Sequence, residues 1–138
     1  MRLHKNAKIE LIRNVPLFAH CTKKELAAIA AQADELTLPE DRVLVRQGER
    51  GREFVVIAEG SADVRRNGRR INRLGAGDFL GEIALLSGAP RTATVTTTSK
   101  TKVLVLTDRA FKRVTSELPS VLTRLLAALS ERLHADAL

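Results

Sequence analysis

The chain has 138 residues, with 23 Lys+Arg against 16 Asp+Glu and a formal charge of +7. That length supports one folded domain with a real core, and 44% hydrophobic content excludes a disordered chain. Four Phe with no Trp or Tyr argue against base stacking on single strands, and one cysteine excludes an internal disulfide.

The N-terminus, Met1 to Arg13, is charged and lacks the apolar stretch of a signal peptide. No apolar run nears the roughly 20 residues of a membrane span. With the lone Cys21, these features predict a cytoplasmic protein, and the basic excess asks for an anionic partner. Residues 5–14 and 22–36 read as helices. The second opens on Thr22 with Glu25 three residues on, a capping box. Leu26, Ile29, Ala30 and Ala33 then fall on one helical face. Pro16-Leu17-Phe18 lies in the connection, and Pro39 closes the helical section.

The period then changes to two. Val/Ile/Leu/Thr-rich runs at 43–46, 53–58, 61–66, 70–74, 93–98 and 101–106 read as strands. Turn residues separate them, and Asn67-Gly68 between Val64 and Ile71 marks a two-residue hairpin. Leu80 to Ser87 reads as one short helix inside this region. From Asp108, a candidate N-cap, the helical period returns through Phe111, Val114 and Leu118. Pro119 starts a last helix whose apolar face is Val121, Leu122, Leu125, Leu126, Leu129 and Leu133. Helices, then strands with one inserted helix, then helices give an α+β fold rather than alternating βαβ units. The expected organisation is a single domain over 1–138: helices over 1–36, an antiparallel roll over 37–107, helices over 108–138.

Nothing in the pattern supports catalysis. His4, His20 and His134 all lie in or beside the flanking helical regions, so a metal cluster inside the strands is not expected. No Ser sits in a nucleophile elbow, and no Walker-type loop occurs. The informative stretch is 77–95. Gly81 lets a ligand approach backbone without a Cβ in the way. A helix opening at Gly81-Glu82 leaves free N–H groups for an anion, yet places an acid beside it. A ligand with both a phosphate and a hydroxyl reconciles the two, the Glu82 carboxylate accepting from the hydroxyl. Nine residues on, Arg91 offers a guanidinium fork suited to phosphate, with Thr92 adding a hydroxyl. Three plainer readings stand beside this: Glu82 sitting favourably at a helix N-terminus, Arg91 as a surface charge, or Glu82 and Arg91 paired with each other.

Leu80-Gly81-Glu82-Ile83-Ala84-Leu85-Leu86 followed by Pro90-Arg91-Thr92-Ala93-Thr94-Val95 resembles the phosphate-binding cassette of cyclic nucleotide-binding domains, with Leu80 where that family usually has Phe. Arg46-Gln47-Gly48-Glu49 and Phe54 to Gly60 are similar to the family's early strands, and Val15-Pro16-Leu17-Phe18 to its entry. The resemblance covers roughly residues 10–134. It implies a β-roll with N-terminal helices, a short phosphate-binding helix and two C-terminal helices, binding cAMP or cGMP. Glu82 would accept from the ribose 2′-hydroxyl and Arg91 would pair with the cyclic phosphate. Gly81, Ile83 and Ala84 would give or permit backbone contacts, with Thr92 and Ala93 near phosphate and base. Val64 and Leu74 match purine-contacting positions of related channel domains, while Asn72 departs from the apolar residue often found nearby.

Some family members cap the base with Trp or Tyr, which this chain lacks. Ser130-Glu131-Arg132-Leu133 looks like the channel segment whose arginine covers the base, which makes Arg132 the candidate lid. Thr92 matches members that bind cGMP, where its hydroxyl reaches the guanine amino group. Thr also occurs there in cAMP-responsive channels, and cAMP is the expected ligand, with cGMP as the second. The expected function is a non-catalytic cyclic nucleotide sensor without metal or cofactor, signalling through its C-terminal helices to an effector domain or protein, or to a second copy. The alternatives are a fragment of a DNA-binding regulator without its helix-turn-helix, and a scaffold that has lost its ligand. Specific nucleic-acid binding is not expected, since arginines on a hairpin such as 65–73 are ordinarily solvated.

Overall fold

The computed structural model describes residues 2–81 and 87–137, with side chains as far as 131. The chain divides into two compact units, Met1–Ala33 with Arg109–Leu138, and Asp34–Asp108.

The helical unit opens with α1 (Lys5–Arg13), a 3-10 turn (Pro16–Phe18) and α2 (Lys23–Gln32). The capping box of α2 forms as expected: the Thr22 hydroxyl accepts from the Glu25 N–H at 3.2 Å, and the Glu25 carboxylate accepts from the Thr22 N–H at 2.7 Å. Leu26, Ile29 and Ala30 are buried, as their spacing predicts. The helix ends earlier than expected. Ala33 turns extended, and Asp34–Leu38 forms a strand. The reason is tertiary: all five of these residues pair with a strand near the end of the β-region, and that ladder overrides a local helical preference. Two further helices follow the β-region, α3 (Asp108–Glu117) and α4 (Ser120–Ala137). Asp108 is the first residue of α3 rather than its cap, and its carboxylate accepts from Arg52 Nη1 at 3.4 Å. Within the helical unit, α1 packs on α2 and α4 packs on the 3-10 turn, where Leu17 and Phe18 are fully buried.

The β-unit holds, among the described residues, β1 (Asp34–Leu38), β2 (Val43–Val45), β3 (Glu53–Glu59), β4 (Ala62–Arg66), β5 (Arg69–Leu74), β6 (Phe79–Leu80), β7 (Thr94–Thr97) and β8 (Thr101–Thr107). They form two antiparallel sheets, ordered β1-β8-β3-β6 and β2-β7-β4-β5. Val55, Ile57 and Val103 from the first sheet and Ala62 and Val95 from the second share one core. The hairpin at Asn67-Gly68 forms as its sequence demands, with both residues at positive φ (53° and 81°) and Arg66 paired to Arg69. Leu80, expected in a helix, is a strand residue paired with Val55; the rest of that expected helix, 82–86, lies outside the described residues. The fold is α+β, built on an antiparallel β-roll.

Candidate functional site

The segment that leads into β7 is fixed by the loop between β2 and β3. Pro90 bridges to Arg50, the Gly48 N–H donates to the Arg91 carbonyl at 2.8 Å, and the Arg91 N–H donates to the Glu49 carbonyl at 2.9 Å. The loop also reaches the β4–β5 hairpin. The Gln47 side-chain amide donates to Asn67 Oδ1 at 2.8 Å and accepts from the Asn67 N–H at 2.9 Å, while the Gln47 N–H donates to Thr94 Oγ1 at 2.9 Å.

Held at its backbone, Arg91 turns its side chain inward, leaving the residue 9% exposed. Its Nη2 donates to the Glu53 carbonyl at 2.7 Å and lies 3.5 Å from the Glu53 carboxylate. The guanidinium rests against two glycines. A Cβ on Gly51 would stand 2.4 Å from its Nε, and a Cβ on Gly81 would stand 2.2 Å from its Nη1. Gly81 has φ +80°, so a side chain there is excluded twice over. Nε is buried with no hydrogen-bond partner among the described residues. A buried cation with an unpaired N–H is costly and is best relieved by an anion.

Within the β-unit a cavity of about 500 Å³ opens beside this arginine. That lies inside the roughly 300–1,000 Å³ range of small-molecule sites. Its walls are mainly apolar: Val45 from β2, Val64 from β4, Leu74 from β5, Phe79 and Leu80 from β6, and Val95 from β7. Gly81, Arg91 and Thr92 give it one polar end, and Ala93 stands beside them. The arrangement suits a ligand with an anionic end and a flat, less polar body.

Six residues singled out from sequence therefore line one cavity: Val64, Leu74, Gly81, Arg91, Thr92 and Ala93. Glu82, Ile83 and Ala84 lie outside the described residues, as does the side chain of Arg132. Sequence reasoning missed Glu53 and Gly51, the residues that cradle Arg91. Gly51 was visible only as a turn residue, and Glu53 lies 38 positions from the arginine it grips. Phe79 was also unassigned; it lines the cavity and packs against Phe54 with ring centroids 6.2 Å apart.

Among the described residues, other reactive groups give no competing centre. Among the described residues no cluster of three or more His, Cys, Asp or Glu is arranged to hold a metal ion. Burial, then the negative charge of Glu25, pushes the Cys21 thiol up to about 11, with Arg124 opposing. It stays protonated at neutral pH and is a poor nucleophile. Among the described residues no helix is long and apolar enough to cross a membrane.

Fold and cavity thus define a β-roll whose cavity has one polar end and mainly apolar walls. The sequence model of the cyclic nucleotide-binding domain matches residues 35–117, and the chain belongs to that family. It is 35% identical over 124 residues to a cAMP-dependent protein kinase regulatory subunit of Mycosarcoma maydis, covering 83% of this chain and 24% of that protein. Its fold matches the N-terminal domain of a transcriptional regulator from Streptomyces coelicolor A3(2) with TM-score 0.84 and 30% identity, covering 91% of this chain and 94% of that one. It also matches the Thermus thermophilus catabolite activator protein with TM-score 0.71 and 26% identity, covering 88% of this chain and 60% of that one. Against the kinase subunits of Mycosarcoma maydis and Dictyostelium discoideum, the chain spans 24% and 38% of their length.

Proposed function

We propose that this domain is a non-catalytic sensor that binds cAMP, with cGMP as the second ligand. The observation that carries the reading is Arg91: a buried guanidinium whose Nε has no hydrogen-bond partner among the described residues, held at the polar end of a mainly apolar cavity. Its fork pairs with the cyclic phosphate. Val64 and Leu74 lie against the purine, Thr92 and Ala93 lie where phosphate and base meet, and Gly81 lets backbone approach the sugar-phosphate. Glu82 accepts from the ribose 2′-hydroxyl, with Ile83 and Ala84 giving backbone contacts, and Arg132 covers the base. The kinase regulatory subunit among the relatives is named for cAMP, which favours that nucleotide.

In this reading the output is mechanical. The C-terminal helices contact the nucleotide in one state only, and that differential contact drives the switch. The effector is a further domain or a separate protein. Both arrangements fit the relatives, which include a kinase regulatory subunit and the N-terminal domain of a transcriptional regulator.

Calorimetric titration with both nucleotides tests the assignment, and suits a chain without Trp or Tyr fluorescence. Arg91→Ala is expected to weaken cAMP binding by about a hundredfold or more, the cost of losing a buried charged partner. Undiminished binding of both nucleotides by that variant would refute it.

A further inference from the structure

The arginines of the β4–β5 hairpin are not equivalent. Arg73 Nε donates to Asp63 Oδ1 at 3.2 Å, and Arg65 lies 3.9 Å from the same carboxylate and donates to the Gly68 carbonyl at 3.4 Å. Both are satisfied within their own hairpin. Arg66 reaches out of it: its Nε donates to the Thr92 carbonyl at 3.1 Å. The period of the strand explains why. Ala62, Val64 and Arg66 share one face of β4; Ala62 is fully buried and Val64 lines the cavity. The next residue on that face, Arg66, reaches the backbone of Thr92, which lines the cavity.

Thr92 has no strand ladder to hold it. It lies between the bridge at Pro90 and the start of β7 at Thr94, outside both ladders, and it is exposed. Its neighbour Arg91 is fixed on both backbone groups by Gly48 and Glu49. The Arg66 bond holds the following peptide, and so steadies the backbone that carries the Thr92 side chain. The Gln47 clamp on Asn67 keeps the hairpin tip in place for this contact.

We propose that Arg66 is a positioning residue that sets purine selectivity by orienting Thr92. The inference rests on the reading of Thr92 as a contact to the ligand. A Thr hydroxyl accepts from the exocyclic 2-amino group of guanine, and adenine has no such group. A held Thr92 therefore favours cGMP over its baseline, whereas a loose one serves cAMP equally well.

The test is a double-mutant cycle read by calorimetry on the intact chain, with cGMP and cAMP titrated separately. Arg66→Ala is expected to weaken cGMP binding about three- to tenfold and to change cAMP binding less than about twofold, the range of one hydrogen bond. Thr92→Ala is expected to lower the cGMP-to-cAMP affinity ratio by a similar factor. The double variant is expected to add nothing further, because the two residues act through one contact. The ratio is its own control for folded fraction, since misfolding lowers both affinities together. Equal losses for both nucleotides, additive effects, or an unchanged ratio would overturn the role of Arg66 while leaving the binding site intact. Failure of the wild-type chain to bind either nucleotide would overturn the binding reading, and this inference with it.

Discussion

Each of the two units buries a charge, and the two charges are treated differently. In the helical unit, Glu25 is 3% exposed and fully engaged: it accepts from the Thr22 N–H at 2.7 Å, from Ser120 Oγ at 2.5 Å and from Arg124 Nε at 3.4 Å. In the β-unit, Arg91 is also buried, but its Nε has no partner among the described residues and a cavity lies beside it. A buried charge closed by its own fold serves the fold. One left incompletely paired at a cavity carries a cost that a ligand can relieve. Burial alone does not distinguish the two charges; their hydrogen-bond partners do.

The largest expected effect tests the closed charge. Glu25→Ala strands the Thr22 N–H and the Ser120 hydroxyl and removes the tie between α2 and α4. It is expected to cost about 2–4 kcal/mol in urea unfolding, the range for breaking a buried charge network. Nucleotide affinity measured below the unfolding transition is expected to stay within about twofold, since one hydrogen bond or less of coupling is involved. If affinity fell as far as is expected for Arg91→Ala, the two buried charges would not have separate roles.

The glycines that cradle Arg91 sharpen the contrast. A Cβ at Gly81 meets the Glu53 carbonyl at 2.6 Å as well as the guanidinium, and its φ is +80°, so Gly81→Ala is expected to lower both stability and affinity. The three atoms nearest a Cβ at Gly51 all belong to the far end of the Arg91 side chain rather than to backbone. Gly51→Ala is therefore expected to weaken nucleotide binding about tenfold or more, while thermal unfolding changes by less than about 1 kcal/mol. An unaltered affinity in Gly51→Ala would show that the cradle does not place Arg91 for binding.

The smallest effects are in pH. For Glu25, burial raises the carboxyl pKa, but the bonds from Ser120 and Thr22 and the charge of Arg124 outweigh it and leave it lowered. A lowered carboxyl stabilises the fold above its unfolded value, and that contribution is lost as pH falls through the folded one. The Cys21 thiol is raised from 9.0 to about 11. Its contribution is present below pH 9.0 and is lost as pH rises from there towards 11, because the unfolded thiol ionises first. Glu25→Gln is expected to flatten the acid limb of a stability profile, and Cys21→Ala the alkaline limb. Unfolding midpoints measured from pH 3 to 10.5 check both, and limbs that keep their slopes would remove these groups from the account.

Much of the molecule was legible without coordinates where the determining contacts are local. The capping box at Thr22 and Glu25, the Asn67-Gly68 turn and the stripe of α2 each lie within a few residues, and each formed as expected. The end of α2 did not, because Asp34–Leu38 takes its structure from a strand some 70 positions on. Arg91 was legible as an anion-binding candidate from its motif. Its actual partners were not, since neither Gly51 nor Glu53 carries a local signal.

The sequence by itself determined the family, the coarse order of a helical section, a strand-rich section and a second helical section, and the short motif that holds Gly81, Arg91 and Thr92, because residue type and spacing carry those directly. Only the tertiary structure decided that Val64 and Leu74 share a cavity with them, that Glu53 grips Arg91, and that Arg66 rather than Arg65 or Arg73 reaches Thr92. Those outcomes follow from strand register, where pairing between distant segments assigns each side chain to one face or the other, and no single segment contains that information.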